Sequence, residues 1–176
     1  LYKSTYKLLF FLVLGLVSQI PALSLANNIN EYTIKAAFIY NFARFTEWPD
    51  ESKELRVCIY GKDPFGASID KLNGKQSNGR IIKVIRTRSI EEVKSCHIAF
   101  LNIIPPERRL YARALRDIEG ANVLTISDAE GVVGFGVMIG LKIDNDKVAF
   151  DVNHTVAKAS EIEISAKLLR LAKVVN

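Results

Sequence analysis

Leu55-Arg-Val-Cys-Ile-Tyr-Gly-Lys-Asp-Pro-Phe-Gly66 joins a strand to a helix. Leu55–Tyr60 is a compact apolar run that stops at Gly61, the signature of a short buried strand. Pro64, Phe65 and Gly66 then open a helix that runs to about Leu72, and Asn73-Gly74 closes it with a turn. A strand followed at once by a helix is the unit from which parallel sheets are built.

The alternation repeats along the chain. Arg80–Arg88 alternates basic and apolar residues and reads as a strand, and Ile90–Ser95 suits a short helix. His97–Ile103 is a strongly apolar strand. Pro105-Pro106 opens a charged helix over Glu107–Glu119, with Leu110, Ala114, Leu115 and Ile118 as its stripe and its arginines on a solvated face. Asn122–Ser127 is a further strand, closed by Asp128. Val137–Ile143 and Lys147–Val152, joined by Asp144-Asn145-Asp146, form a hairpin. A last helix is expected from about Thr155 to Val174, with Asn153 as its cap. Upstream, Ile34, Ala37, Phe38, Phe42 and Phe45 have helical spacing. Asn30 is the expected N-cap there, Pro49 and Asp50 the stop, and Trp48 the most accessible aromatic, at the helix end.

This order predicts an α/β fold: a three-layer sandwich, mostly a parallel sheet, with helices on both faces and a C-terminal antiparallel hairpin. In a doubly wound order the first and third strands are neighbours. Cys58 lies in the first and Cys96 at the mouth of the third, so a bridge between them is geometrically reasonable. Two buried free thiols are the alternative.

Composition narrows the class. The chain has 176 residues, 49% hydrophobic and 24% charged, with ten Gly and five Pro, which excludes a disordered or collagen-like protein. Residues 1–26 read as a signal peptide: Lys3 and Lys7 precede the apolar Leu8–Val17, and Ser24-Leu25-Ala26 offers a cleavage site before Asn27. A membrane-spanning helix needs roughly 20 apolar residues, and this run is about half that. The expected mature protein, residues 27–176, is a single domain outside the cytoplasm, most simply in a bacterial periplasm. Without Lys3 and Lys7 the balance is 22 basic residues against 19 acidic, and a charge of +3 does not argue for nucleic-acid binding.

No catalytic constellation emerges. Gly61–Ser68 mimics a phosphate-binding loop, but Ala67 stands where the lysine belongs and Pro64 removes a backbone donor. Gly131–Gly140 leads into a strand, which suits a bend or close backbone approach rather than a dinucleotide. Two cysteines and the scattered His97 and His154 lack metal-ligand spacing, so no metal and no cofactor are expected. Asp63, Asp128 and Asp151 fall near strand ends, where open α/β sheets bind ligands.

Several segments together resemble one family. They are Ile34–Pro49 (Ile-Lys-Ala-Ala-Phe-Ile-Tyr-Asn-Phe-Ala-Arg-Phe-Thr-Glu-Trp-Pro), Arg56–Gly66, Ser95-Cys96-His97, Val123–Asp128, Val137-Met138-Ile139, Val148–Asn153 and Ile164–Ala172. This is similar to the YfiR family (DUF4154) of bacterial periplasmic regulatory proteins, over essentially all of residues 27–176. The resemblance implies a non-enzymatic repressor that binds the periplasmic domain of an inner-membrane diguanylate cyclase. Release of that partner would raise cyclic di-GMP and favour biofilm formation. It also implies an oxidation-sensitive α/β fold that dimerises. Cys58 and Cys96 match one family disulfide; a second, found in some members, has no cysteines here. Phe45 and Trp48 are candidates for an apolar partner patch. Asp63, Phe65 and Asp128 are candidates for the rival reading, a small-ligand sensor holding a nucleotide or amino acid at the strand ends.

Overall fold

The structure, a computed structural model, describes the backbone of residues 23–176 and the side chains from Glu31 onward. Most of the expected signal peptide therefore lies outside the described residues. The helices are α1 (Leu23–Arg44), α2 (Ala67–Asp70), α3 (Ile90–Val93), α4 (Arg108–Asp117), α5 (His154–Ala159) and α6 (Ala166–Leu169). The strands are β1 (Thr46–Glu47), β2 (Glu54–Gly61), β3 (Gln76–Ser77), β4 (Arg80–Thr87), β5 (Ile98–Asn102), β6 (Leu124–Ser127), β7 (Ile139–Asp144), β8 (Lys147–Val152) and β9 (Glu163–Ile164), with a 3-10 turn at Val132–Phe135.

Seven strands form one sheet in the order β3-β4-β2-β5-β6-β7-β8. The pairings β4–β2, β2–β5, β5–β6 and β6–β7 are parallel, and β3–β4 and β7–β8 are antiparallel. The expected sandwich and its terminal hairpin are present. Strand period two sorts the core into two layers. Leu55, Val57, Ile59, Phe100, Leu124 and Ile126 face α1, where Ile39 and Phe42 are fully buried. Ala99 and Leu101 face the opposite way, toward Val93 of α3 and Tyr111 of α4. Phe42 meets Phe150 of β8 edge-on at 5.1 Å, a favoured aromatic geometry.

Three local expectations are corrected. Asn30 is not an N-cap, because α1 begins at Leu23 and runs through it. The same helix ends at Arg44, and Trp48 lies beyond it, after β1. The expected helix over Thr155–Val174 is broken into α5, β9 and α6. Asn153 caps α5 as expected, its Oδ1 accepting from the Val156 amide at 3.0 Å. Glu161 then takes a positive φ of 55°, which ends helical geometry. Ile162 and Ile164 turn into the core while Glu163 and Ile164 pair antiparallel with β1. Ser165 restarts a helix by accepting from the Leu168 amide. Val174 leaves helix altogether: its carbonyl accepts from Val152 at 2.8 Å, covering the edge of β8.

The Gly-rich run serves close approach, as read. A Cβ on Gly140 would lie 2.8 Å from Val133 Cγ2, so only glycine lets the 3-10 turn sit on β7.

Candidate functional site

Cys58 and Cys96 form a disulfide, with Cα atoms 6.1 Å apart, inside the span that a bridge allows. Cys58 is paired with Ala99 across β2 and β5, and Cys96 lies two residues before the start of β5. The bridge thus joins neighbouring strands at the end where β5 begins.

That end also carries Phe45 and Trp48. Trp48 is only 9% exposed, not the accessible residue expected. Its indole N–H donates to the His97 carbonyl at 3.0 Å, and its ring stands edge-on to the His97 imidazole. The polar atom of a buried tryptophan needs such a partner, and the residue after Cys96 supplies it. Phe45 is half-buried, with the Arg44 guanidinium 5.7 Å and the Lys167 ammonium 5.2 Å from its ring centre. Both residues line an open groove of about 1090 Å³, bounded by Arg44, His154, Lys158 and Leu169. Burial, then the nearby Lys158 charge, lowers the pKa of His154. The groove exists because α5 stops and β9 turns back, so it was not visible in a sequence read as one long helix.

Beneath it His97 Nδ1 accepts from the Arg56 amide at 3.0 Å, which leaves the proton on Nε2, 3.1 Å from Asp50 Oδ2. Arg80 bonds the other oxygen of Asp50 at 2.8 Å. Burial raises the Asp50 pKa, but hydrogen bonds from Arg80, His97 and the Ser52 amide outweigh it and hold the carboxyl at about 2. A depressed acid contributes stability above its ordinary pKa and loses it as pH falls through the folded value. An NMR titration should place Asp50 at about 2, and Arg80→Gln should move that midpoint back toward the ordinary range. Stability should be insensitive to this group above pH 5 and decline only in strong acid.

Asp63, Phe65 and Asp128 sit at the opposite end of the sheet, so the five candidate residues form two places rather than one. Asp63 accepts from the Phe65 amide at 2.7 Å and from Arg86 Nε at 2.7 Å; Arg86 also holds Asp70. Phe65 is buried against Phe100, with ring centres 4.7 Å apart, and packs edge-on to Tyr32. Asp128 Oδ2 accepts from the Tyr32 hydroxyl at 2.9 Å and from Lys35 Nζ at 2.6 Å. Lys35 is only 3% exposed and also meets Glu31 at 2.5 Å. Burial first, then the Asp128 carboxylate, pushes the Tyr32 phenol well above its usual range. Lys35 and Arg86 were missed by the sequence reading, because both look like ordinary surface cations until their partners are folded next to them. A cleft of about 790 Å³ lies beside these groups, lined by Tyr32, Lys62, Gly66, Ser68 and Asn102.

Among the described residues, no three His, Cys, Asp or Glu side chains converge to hold a metal ion. No helix among them is long and apolar enough to cross a membrane.

The fold is similar to that of two solved proteins. One is a "conserved domain protein" from Vibrio cholerae O1 biovar eltor, with a TM-score of 0.51 and 13% identity over 80% of this chain and 60% of that one. The other is the "ABC domain in complex with L-Trp" from Streptococcus pneumonia, with a TM-score of 0.52 and 11% identity over 83% of this chain and 60% of that one. This chain therefore spans about 60% of the length of each, and at such identity the likeness is one of fold. Sequence is more specific: the family model described as YfiR/HmsC-like (DUF4154) matches residues 32–173, from the Tyr32 that holds Asp128 to the Lys173 beside β8. The chain belongs to this YfiR/HmsC-like family of periplasmic regulatory proteins.

Proposed function

We propose that this domain is a periplasmic repressor that binds the periplasmic part of an inner-membrane diguanylate cyclase, restraining cyclic di-GMP synthesis and biofilm formation. It acts by protein binding, without catalysis, cofactor or nucleic acid, and self-associates as a dimer. Family membership supports the regulatory class. The observation that carries the partner-binding reading is the groove of about 1090 Å³ edged by Phe45. It is open rather than enclosed, and it combines a half-exposed aromatic with charges of both signs. Aromatic anchors in a polar rim are what protein interfaces use for binding energy.

Repression requires preferential binding to the inactive state of the partner, since equal binding shifts nothing. The disulfide bears on that grip through a short physical path. Cys96 fixes His97, the His97 carbonyl fixes Trp48, and Trp48 is part of the groove wall. Reduction would loosen the wall without touching the partner.

The test is recovery of membrane proteins on the tagged domain from detergent-solubilised native membranes. A cyclase with a periplasmic domain is the expected catch. Phe45→Glu should lower its recovery about tenfold or more, the scale of an interface anchor, with the near-ultraviolet signal of Trp48 unchanged. Recovery of no membrane protein, or of an unrelated receptor, would refute the cyclase assignment. The second reading, a small-ligand sensor, draws on the cleft of about 790 Å³ beside Asp63 and Phe65.

A further inference from the structure

A second cleft lies across the sheet edge from the one beside Phe65. It has a volume of about 420 Å³ and lies outside the ends of β2, β4 and β5, on the side of α3 and α4. Two guanidiniums border it, Arg88 just after β4 and Arg113 on α4. Among the described residues, neither has a hydrogen-bond or ion-pair partner. The contrast with the same strand is informative. Arg80 is bound to Asp50 and Arg86 to Asp63 and Asp70, so the third arginine of this segment is the one left unspent. Asp117 is the only carboxylate lining the cleft, and it makes no ion pair with either arginine. Apart from Asn102, whose side-chain amide donates to the Lys62 carbonyl, the rest of the wall is mainly apolar, from Tyr60, Ile90, Ile103 and Leu110. Ile104 at the rim is 68% exposed.

Topology gives an independent reason to place a ligand here. The chain leaves β2 through α2 to reach β4 on one side, then crosses by α3 to β5 on the other side of β2. The two connections lie on opposite faces of the sheet. The crevice where they diverge, at the carboxyl ends of β2 and β5, is the switch point at which open α/β sheets bind ligands. Gly61 ends β2 there with a φ of 91°, and a Cβ on it would collide with the Asn102 carbonyl. The two strand ends therefore meet closely and form the floor between the arginines.

We propose that this cleft binds a compact organic anion: a carboxylate or phosphate monoester head on an apolar body, with Arg88 and Arg113 reading the head. Guanidinium forks match both oxyanions in bidentate geometry, whereas the apolar wall favours an aryl or alkyl body. A cleft above roughly 300 Å³ is large enough to enclose a body of about ten heavy atoms. The proposal is independent of the cyclase reading and would survive its failure.

The test is a proton–nitrogen NMR titration of the labelled protein with three probes: phenylacetate, phenyl phosphate and the neutral 2-phenylethanol. At least one anion should shift the amides of Gly61, Ile90 and Ile103 saturably, and which one does so identifies the head group. The neutral probe should not. Arg88→Gln and Arg113→Gln should each weaken that binding about tenfold, the worth of a charge-assisted hydrogen bond, and the double variant should abolish it. Both side chains are exposed, so dispersed spectra of the variants will confirm that they fold. Any of four results overturns the proposal: no saturable shift with either anion, equal binding of 2-phenylethanol, unchanged affinity in the arginine variants, or shifts confined to Gly66 and Ser68 in the other cleft.

Discussion

Replacing Cys58 and Cys96 together by alanine should destabilise the domain by about 4 kcal/mol. The bridge closes a loop with a sequence separation of 38. In the chain-entropy account its main effect is on the unfolded chain, which loses that loop's freedom while the bond is intact. Both residues are buried, at 0% and 4% exposure, so alanine leaves no unsatisfied polar atom and only a modest void. Urea unfolding checks this. The midpoint should fall, and the slope should rise, because an uncrosslinked unfolded chain exposes more surface. For an ordered chain of this size the melting temperature should drop by about 10 °C. Reduction with dithiothreitol should give the same shift in the unaltered protein and none in the double variant. A loss below about 1 kcal/mol would mean that the entropy account fails here. Near-ultraviolet dichroism adds the functional readout: if the bridge positions Trp48 through His97, the Trp48 signal should weaken before the strands unfold.

The neighbouring placement of Cys58 and Cys96 was legible because it follows from topology. Alternating strand and helix signals over residues 55–127 lead to a doubly wound order, and that order sets the first strand beside the third. The terminal hairpin was legible from its polar Asp144-Asn145-Asp146 turn, and the cap from Asn153. What escaped the sequence has a common physical cause: long-range partners overrode local pattern. Residues 155–174 keep enough helical spacing to read as one helix. Yet Ile162 and Ile164 also alternate with Glu161 and Glu163, and pairing with β1 selects the strand reading over Glu163–Ile164. Trp48 looked accessible beside Pro49 because its acceptor, the His97 carbonyl, is 49 residues away. Arg113 read as part of the solvated face of its helix and Arg88 as the last basic residue of its strand, and only the fold places them on one cleft.

Asp128→Ala should be nearly as costly as loss of the disulfide, about 3 kcal/mol, whereas Lys35→Met should cost far less. Lys35 is buried, and its ammonium is compensated by Asp128 at 2.6 Å and Glu31 at 2.5 Å, with the Tyr32 ring centre 4.5 Å away. Removing one partner of a buried pair leaves a charge in a poor solvent, typically at about 3–5 kcal/mol. The low end applies here because Glu31 remains. Removing the lysine instead takes out the most buried of the three charges, 4% exposed against 15% for Asp128 and 28% for Glu31, and methionine fills similar volume; the two carboxylates left behind keep contact with water, and Asp128 keeps the Tyr32 hydroxyl at 2.9 Å. Denaturant melts of the two single variants and the double variant form a cycle that reads the coupling directly. Equal losses from Lys35→Met and Asp128→Ala would show that the pair stabilises the fold in its own right. The contrast also tests how the two ends of the sheet communicate. Lys35 anchors α1 at the carboxyl ends of the strands. Phe45 follows the same helix about 15 Å further on, at a rise of about 1.5 Å per residue. A helix pinned at one end by ion pairs and bordering the groove at the other would carry a displacement between them if it moves as a rigid body. If the domain binds the membrane partner proposed above, Asp128→Ala should weaken that capture at temperatures where the domain is still folded, while Lys35→Met should leave capture intact. If both variants capture the partner equally well, α1 is a scaffold and not a connection between the two sites.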